Sequence, residues 1–455
     1  MILRYKVSHS QRLALCRAQA RFHSTSLHFY QNRQLETYAA KEAQRLSLRQ
    51  LVFYGRCMSE ERLIKNANYV RTELPVRIAH RIRDLQALPY VVVMQEGVTK
   101  VYELYWSAFE KYTYLPSAMN SDLTSANLLT RLRRFPRIET LEENERFCTF
   151  LQGLLDEHAV VIPNLSLGLT LTSQHLPPDQ LDAFMRRMLV SRISRRVLAE
   201  HHIALSDSVS SRNRVTSGED GHVGIIYTGL NVEKSVRRCT ALLHQLTHDS
   251  EDPWPSGWPG VIIEGHVHAQ FAYIKEHLEY IVFELLKNAM QATVTKYGKK
   301  SDLPAILVTL VAAPDCIGMR ISDQGGGLLS PYIRSPSDLF SFSHVRNASR
   351  LEQDRLGPLR TVCASPTGMR ATVEELVQRW KDDWPRADDE SYMQNNPERK
   401  SGVGHRPRLG IGLALCNIFA RYFGGSLELV SLDGWGTDVY LRLPKLGTNL
   451  EGSEV

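Results

Sequence analysis

Glu284-Leu285-Leu286-Lys287-Asn288-Ala289-Met290-Gln291-Ala292 and, further along, Ile321-Ser322-Asp323-Gln324-Gly325-Gly326-Gly327 decide how this chain is read. The first segment lies in a stretch where Leu278, Ile281, Val282, Leu285, Leu286 and Ala289 recur at helical spacing, which predicts a helix. Glu284, Lys287, Asn288, Gln291 and Ala292 then share one face, so a carboxylate, a cation and an amide point the same way. The second segment follows strand-like runs, Ile306 to Val311 and Met319 to Ile321, and ends in three glycines. Each glycine has extra backbone freedom to lose on folding, so three together mark a place where bare backbone must approach a ligand.

Nucleotide binding with a divalent metal accounts for this pair. Mg²⁺ takes hard oxygen donors and keeps several waters, so one amide oxygen from Asn288 together with phosphate oxygens can hold it. Glu284, one turn earlier, is placed to orient or deprotonate a hydroxyl. Asp323 at a strand end can accept a hydrogen bond from the exocyclic amine of adenine. A helical stripe of charge is more often only a solvated face, and D-x-G-G-G is as often a turn.

A third element shifts the balance. Leu409-Gly410-Ile411-Gly412-Leu413-Ala414-Leu415-Cys416-Asn417-Ile418 is a glycine turn running into an amphipathic helix, where free N–H groups and the helix dipole favour phosphate. It lacks the strand-helix-strand context and downstream acid of a dinucleotide fingerprint, and the chain carries no P-loop lysine motif. Gly424 to Ser431 and Asp438 to Leu443 alternate polar and apolar residues about Gly434-Trp435-Gly436-Thr437, which predicts a β-hairpin with Thr437 beside Asp323.

The order E-L-L-K-N-A-M-x-A, S-D-x-G-G-G, G-I-G-L, G-T-D-V-Y-L-R-L resembles the N, G1 and G2 boxes of the ATPase superfamily of gyrase, Hsp90, histidine kinases and MutL. Within it the chain is similar to the mitochondrial 2-oxoacid dehydrogenase kinases, of pyruvate and branched-chain types. Glu73 to Ile82, Tyr102 to Tyr105 and Ser191 to Leu198 resemble segments of their amino-terminal helical domain, and the likeness runs from about residue 46 to 445 apart from one insertion. It implies Glu284 as general base, Asn288 as Mg²⁺ ligand, Asp323 and Thr437 as adenine contacts, and Gly325, Gly327, Gly410 and Gly412 as phosphate and lid hinges. Lys287 and Leu413 join the nucleotide-binding set as the cation of the helix face and the residue closing G-I-G-L.

The resemblance also implies an ATP- and Mg²⁺-dependent serine kinase acting on the E1α subunit of a 2-oxoacid dehydrogenase complex and inactivating it. Further implications are docking to an E2 lipoyl domain, a homodimer through the ATP-domain sheet, and the mitochondrial matrix. Pyruvate dehydrogenase is the preferred substrate complex, with the branched-chain complex as alternative. A chaperone- or repair-type ATPase without protein acceptor, and a silent scaffold, are readings from other classes. Three departures stand out. Arg408 holds a place where the family usually has glycine, and would clamp phosphate, stiffen the lid or face solvent. Gln291 stands where arginine is common. Tyr280 matches the branched-chain type, where pyruvate kinases often carry histidine.

At 455 residues, with 43% hydrophobic and 23% charged content, the chain has room for two or three domains with ample core. No apolar run reaches the roughly eighteen residues a spanning helix needs. The seven cysteines show no C-x-x-C spacing, as expected of reduced thiols rather than zinc or disulfides. Arg4, Lys6, Arg12, Arg17 and Arg21 precede the first acid, Glu36, and residues 1–23 read as a mitochondrial transit peptide. Without those five cations the formal net charge of +6 falls to +1, so nucleic acid has no electrostatic claim on the mature chain.

The expected fold class is α+β. Residues 36–205 form a four-helix-type bundle with helices near 60–85, 97–114, 139–168 and 178–202, broken at Leu88-Pro89 and Pro177-Pro178. A Ser/Gly-rich linker covers 206–222, and an α/β sandwich ATP-binding domain with a mixed sheet covers 223–446, ahead of a tail at 447–455. Leu46 to Gly55, apolar at the bundle's start, either packs in the core or meets the lipoyl group. A lid and insertion are expected over about 328–406, opening with Phe340-Ser341-Phe342-Ser343-His344 and ordering when ATP binds.

Overall fold

The computed structural model describes residues 33–56, 58–113, 137–171, 175–211, 221–248, 258–298, 302–328, 339–342, 412–447 and 449–452. A short helix at 33–39 (α1) and α2 (Leu48–Gly55) lead into α3 (Glu60–Gln86). Ser47 caps α2 reciprocally with Gln50, and Ser59 caps α3 by accepting from the N–H of Arg62; each satisfies a donor that the first helical turn leaves orphaned. Pro89 is the N-cap of the one-turn α4 (Tyr90–Val93), before α5 (Glu96–Thr113).

The third expected helix divides. α6 (Leu141–Glu157), opened by a Thr140–Glu143 capping box, passes through a 3₁₀ turn at His158–Val160 into α7 (Val161–Leu171). Helical periodicity alone does not register such a break, because a 3₁₀ turn continues the coil with only a small phase change. α8 (Pro178–Ser211) is 34 residues long and continues six residues into the stretch expected to be linker. Serines that favour loops in an isolated chain are held in the helix here by contacts: Ser206 Oγ accepts from Asn144 Nδ2 at 3.1 Å and donates to the His202 carbonyl at 2.9 Å. α3, α5, α6 and α8 pack as a bundle, with α7 against α5.

Among the described residues, the second half contains two sheets. β1 (His222–Val223), β2 (Ile226–Asn231) and β4 (Gln270–Ile274) make a three-stranded antiparallel sheet, with α9 (Val232–His248) and β3 (Val261–Gly265) between β2 and β4 in sequence. β4 runs straight into α10 (Lys275–Tyr297). The five-stranded sheet has the order β3-β5-β6-β8-β7, with β5 (Ile306–Ala312), β6 (Cys316–Ser322), β7 (Ser426–Leu432) and β8 (Gly436–Pro444). β3 pairs parallel with β5 and the other neighbours are antiparallel. α11 (Gly412–Arg421) packs with α10 over this sheet.

Register explains the sandwich. Val308, Ile321, Val439 and Leu429 align across four strands, and Leu310, Met319, Leu441 and Leu427 form the next apolar row. All face the helices, as the two-residue period of a strand requires. The opposite face carries Thr309, Arg320, Tyr440 and Glu428 in one row. The architecture is the expected helical part followed by a mixed sheet covered by helices. The described cysteines Cys148, Cys239, Cys316 and Cys416 are free thiols.

Bundle and sandwich are joined by a buried polar clasp at the carboxyl end. Glu451 is 5% exposed and receives a charged hydrogen bond from Arg77 of α3 at 2.6 Å, another from the Tyr422 hydroxyl just after α11, and one from the Leu46 N–H at 3.3 Å. Arg77 also reaches the Gln44 carbonyl and lies 3.5 Å from Glu73. Removing one member of a buried pair leaves the other charge uncompensated, at roughly 3–5 kcal/mol. Glu451→Ala is therefore expected to lower the thermal midpoint by several degrees, and Tyr422→Phe, which removes one bond of about 1 kcal/mol, by much less. Calorimetry on both variants checks the ranking; equal midpoints for Glu451→Ala and wild type would sink it.

Candidate functional site

α10 is buried on nearly every side, with Leu278, Ile281, Val282, Leu285, Leu286 and Met290 all in the core. A helix so enclosed leaves only a narrow polar strip toward any cleft. On it Asn288 is exposed, Lys287 and Gln291 half-buried, and Glu284 only 2% exposed. The face expected from spacing is present, but graded from a sunken carboxylate to an open amide.

Glu284 is held from two sides. Lys287 Nζ donates to its Oε1 at 2.6 Å. Gly412, the first residue of α11, lies so close that a Cβ there would collide with Oε2. Only a residue without a side chain lets that helix start reach the carboxylate. Beneath it, Tyr280 and Cys416 are both pushed well above their ordinary pKa by burial first and the nearby Glu284 charge second. Leu413 is half-buried beside Gly412. Arg408 and Gly410 lie outside the described residues.

The far end of the site is built on Asp323. Its N–H donates to the Thr437 carbonyl at 3.0 Å, and its Oδ1 accepts from Gly325 N–H at 2.8 Å and from Thr437 N–H at 3.3 Å. The carboxylate is thus pinned where β6 ends and β8 begins. A Cβ on Gly436 would strike the Asp323 carbonyl, and one on Gly325 would sit 2.5 Å from the Ala292 Cβ of α10. Gly326 and Gly327 adopt φ of 100° and 78°, a region L side chains rarely occupy. The three glycines therefore serve different ends: Gly325 for close approach to α10, the other two for a left-handed turn.

Asp323 is 5% exposed, and burial, as the dominant influence, raises its pKa; the two N–H donors oppose this, the nearby Asp438 charge adds to it and Lys296 counters it. Asp438 itself is tied to Arg320 at 2.7 Å.

Two features were not anticipated from the sequence. Lys296, at the end of α10, donates to the carbonyls of Gln324, Gly434 and Trp435 at 3.1, 2.9 and 3.2 Å, stapling the glycine turn to the β7–β8 hairpin. Its place three residues beyond Thr293 on a helix end carries no motif. The other is Asp182 of α8, which accepts from Ser341 Oγ and Phe342 N–H, each at 2.7 Å. The expected start of the lid is thereby fastened to the bundle; the rest of that stretch lies outside the described residues.

A carboxyl whose folded pKa lies above its unfolded one binds protons more readily when folded, so its ionisation subtracts stability as pH rises through that interval. Asp323→Asn keeps an acceptor for both N–H groups and removes the charge. In thermal melts without ligand at neutral pH it is expected to match or exceed wild type, with the difference shrinking toward pH 4. A clearly lower midpoint for the variant at neutral pH contradicts this.

A family profile described as mitochondrial branched-chain alpha-ketoacid dehydrogenase kinase matches residues 45–227. Over most of its length the chain is also similar to named kinases. It is 28% identical to the mitochondrial [pyruvate dehydrogenase (acetyl-transferring)] kinase 2 of Saccharomyces cerevisiae, over 92% of this chain and 86% of that one. It is 24% identical to the mitochondrial [pyruvate dehydrogenase (acetyl-transferring)] kinase of Arabidopsis thaliana, over 89% and 92%. With isozyme 4 of Homo sapiens the figures are 26%, 91% and 85%. The profile covers the bundle and the relatives extend through the site on α10, β6 and β8, so the chain is a protein kinase similar over most of its length to the mitochondrial pyruvate dehydrogenase kinases.

Proposed function

We propose that this kinase transfers the γ-phosphoryl of ATP to a serine of the E1α subunit of a 2-oxoacid dehydrogenase complex in the mitochondrial matrix, with pyruvate dehydrogenase as the substrate complex, and thereby inactivates it. The observation that carries the reading is the Glu284 carboxylate, sunk between Lys287 and Gly412 one turn from the exposed Asn288. A buried carboxylate fixed in orientation one turn from an exposed amide suits a general base, which typically contributes about 10²- to 10⁴-fold.

In the proposed reaction Glu284 accepts the proton of the serine hydroxyl as its oxygen bonds to the γ-phosphorus. The bond from that phosphorus to the β–γ bridging oxygen breaks, and ADP leaves. Asp323 accepts from the adenine amine through its second oxygen, since Oδ1 is taken by Gly325 and Thr437, and the Thr437 hydroxyl assists. Gly325 and Gly327 shape the turn against which the purine rests, while the start of α11 at Gly412 and Leu413 turns its N–H groups to phosphate. The donor set fits Mg²⁺: Asn288 offers a hard amide oxygen in the open, and phosphates and waters complete the shell. When bound, the ion neutralises phosphate charge.

Two partner surfaces follow. A cavity of about 1290 Å³ is lined by Leu46, Leu51, Phe53, Tyr54 and Leu205, with Phe53 and Tyr54 exposed at its rim. An apolar hole of that kind suits a lipoyl chain presented by an E2 domain. The outer sheet face exposes Ile262, Val311, Val430 and Tyr440 among charged neighbours such as Arg320 and Glu428, a mixed surface open to an interface with a second copy of the chain. A substrate of branched-chain type is the second reading, favoured by the family profile and by Tyr280.

Incubation of the purified chain with labelled ATP and each E1 in turn, with and without lipoylated E2 core, tests the proposal. Label is expected on a pyruvate dehydrogenase E1α serine, faster with E2 core. Glu284→Ala should lose about 10²-fold or more in kcat, Asn288→Ala should lose Mg·ATP binding, and Tyr54→Glu should lose only the E2 enhancement. Label on the branched-chain subunit alone would move the assignment to the second reading, and a full rate in Glu284→Ala would remove the base. For the dimer, sedimentation should give a two-chain species that Val430→Glu with Tyr440→Glu converts to one chain; a wild-type monomer at micromolar concentration refutes that interface.

A further inference from the structure

Beside the clasp, α3, α8 and the segment with Glu451 and Gly452 line a cavity of about 400 Å³. Its charged lining is lopsided. Arg45, Arg77, Arg81, Arg186 and Arg187 face it, and Glu451 is the one carboxylate among the lining residues. That carboxylate is already engaged by Arg77 and Tyr422.

The remaining cations are short of partners. Arg81 and Arg187 share a single carboxylate, Asp84, at 3.0 and 3.4 Å. Arg45 reaches only the Gly452 carbonyl, at 3.4 Å, and among the described residues Arg186 has no carboxylate within ion-pair distance. The Nε of Arg81 is buried without an acceptor. Burial and the neighbouring Arg195 and Arg187 charges pull Arg81 below its usual pKa, against the opposing pull of Asp84. A half-enclosed group of guanidinium forks with too little negative charge carries a repulsion that an anion would relieve, and planar forks match phosphate and carboxylate oxygens in pairs.

We propose that this seam between α3, α8 and the carboxyl-terminal segment is a binding site for a compact dianion, either inorganic phosphate or a small dicarboxylate. The site is separate from the nucleotide cleft and does not depend on the kinase assignment. Arg45, Arg186 and Arg187 supply the exposed part of the grip, and Arg81 the inner part. Because Glu451 is one wall, an occupied seam holds the bundle and the carboxyl-terminal segment together more firmly.

Calorimetric titration of the full chain with phosphate and, separately, succinate, at constant ionic strength, tests the site. Fixed salt matters because exposed charges are screened over about 10 Å at 0.1 M. Saturable binding of at least one dianion is expected, together with a raised thermal midpoint. Arg186→Gln with Arg187→Gln, both at exposed positions, should weaken it about tenfold or more while the ligand-free midpoint holds. Asn288→Ala should bind the dianion as wild type does. Phosphate-only binding identifies a phosphoryl ligand and succinate-only a dicarboxylate. Failure of both to bind overturns the proposal, as does unchanged affinity in the double arginine variant. Loss of binding in Asn288→Ala alone would place the anion in the nucleotide cleft and equally overturn it.

Discussion

The carboxylate of Asp323, pinned by two backbone N–H groups from different segments, is the point on which the geometry of the site turns. Its oxygen gathers Gly325 from the turn after β6 and Thr437 from the start of β8. With the reciprocal bond from its own N–H to the Thr437 carbonyl, the ends of two strands become one rigid corner. The close approaches at Gly325 and Gly436 follow, because the corner leaves no room for a Cβ at either place. Lys296 then secures the same corner to α10 through three carbonyls. One buried acid thereby fixes this corner against the helix that carries Glu284 and Asn288.

Between that helix and the carboxyl-terminal clasp runs an unbroken series of contacts. Glu451 accepts from Tyr422, whose ring lies 6.0 Å from His277; His277 packs on Phe419 at 4.8 Å, and Phe419 on Tyr280 at 5.0 Å. Tyr280 sits one turn before Glu284. Burial first, and then the Arg196 charge, hold His277 down to a pKa of about 3, so it stays neutral at any physiological pH and acts as an aromatic spacer. The bundle, Glu451 and the floor of the site are thus packed as one body, in which interiors at crystal-like density pass on displacement rather than absorb it.

Much of this was legible because local rules and tertiary packing agree. The α10 face could be read from spacing, and the β6 and β8 strands from alternation. Long-range partners were not legible. Glu451 stands in a short tail without pattern, and its partner Arg77 is 374 residues away in sequence. The three-stranded sheet escaped notice because β2 and β4 are short and meet across an intervening helix and strand. The depth of Glu284 was also hidden: helical spacing gives the direction of a side chain but not whether α11 will start against it.

Glu284 and Asp323 share a physical problem, a carboxylate taken out of water, and meet it differently. Asp323 is given backbone N–H donors, which are fixed in number and do not titrate; Glu284 is given Lys287, a flexible cation that a phosphate can draw away. The contrast suits the proposed tasks. A group that recognises a base must stay in one place and one state, so rigid dipoles serve it best. A group that takes a proton needs a partner able to move toward phosphate as charge shifts there, and a lysine on the same helix turn can swing between the two without any change in the fold around it.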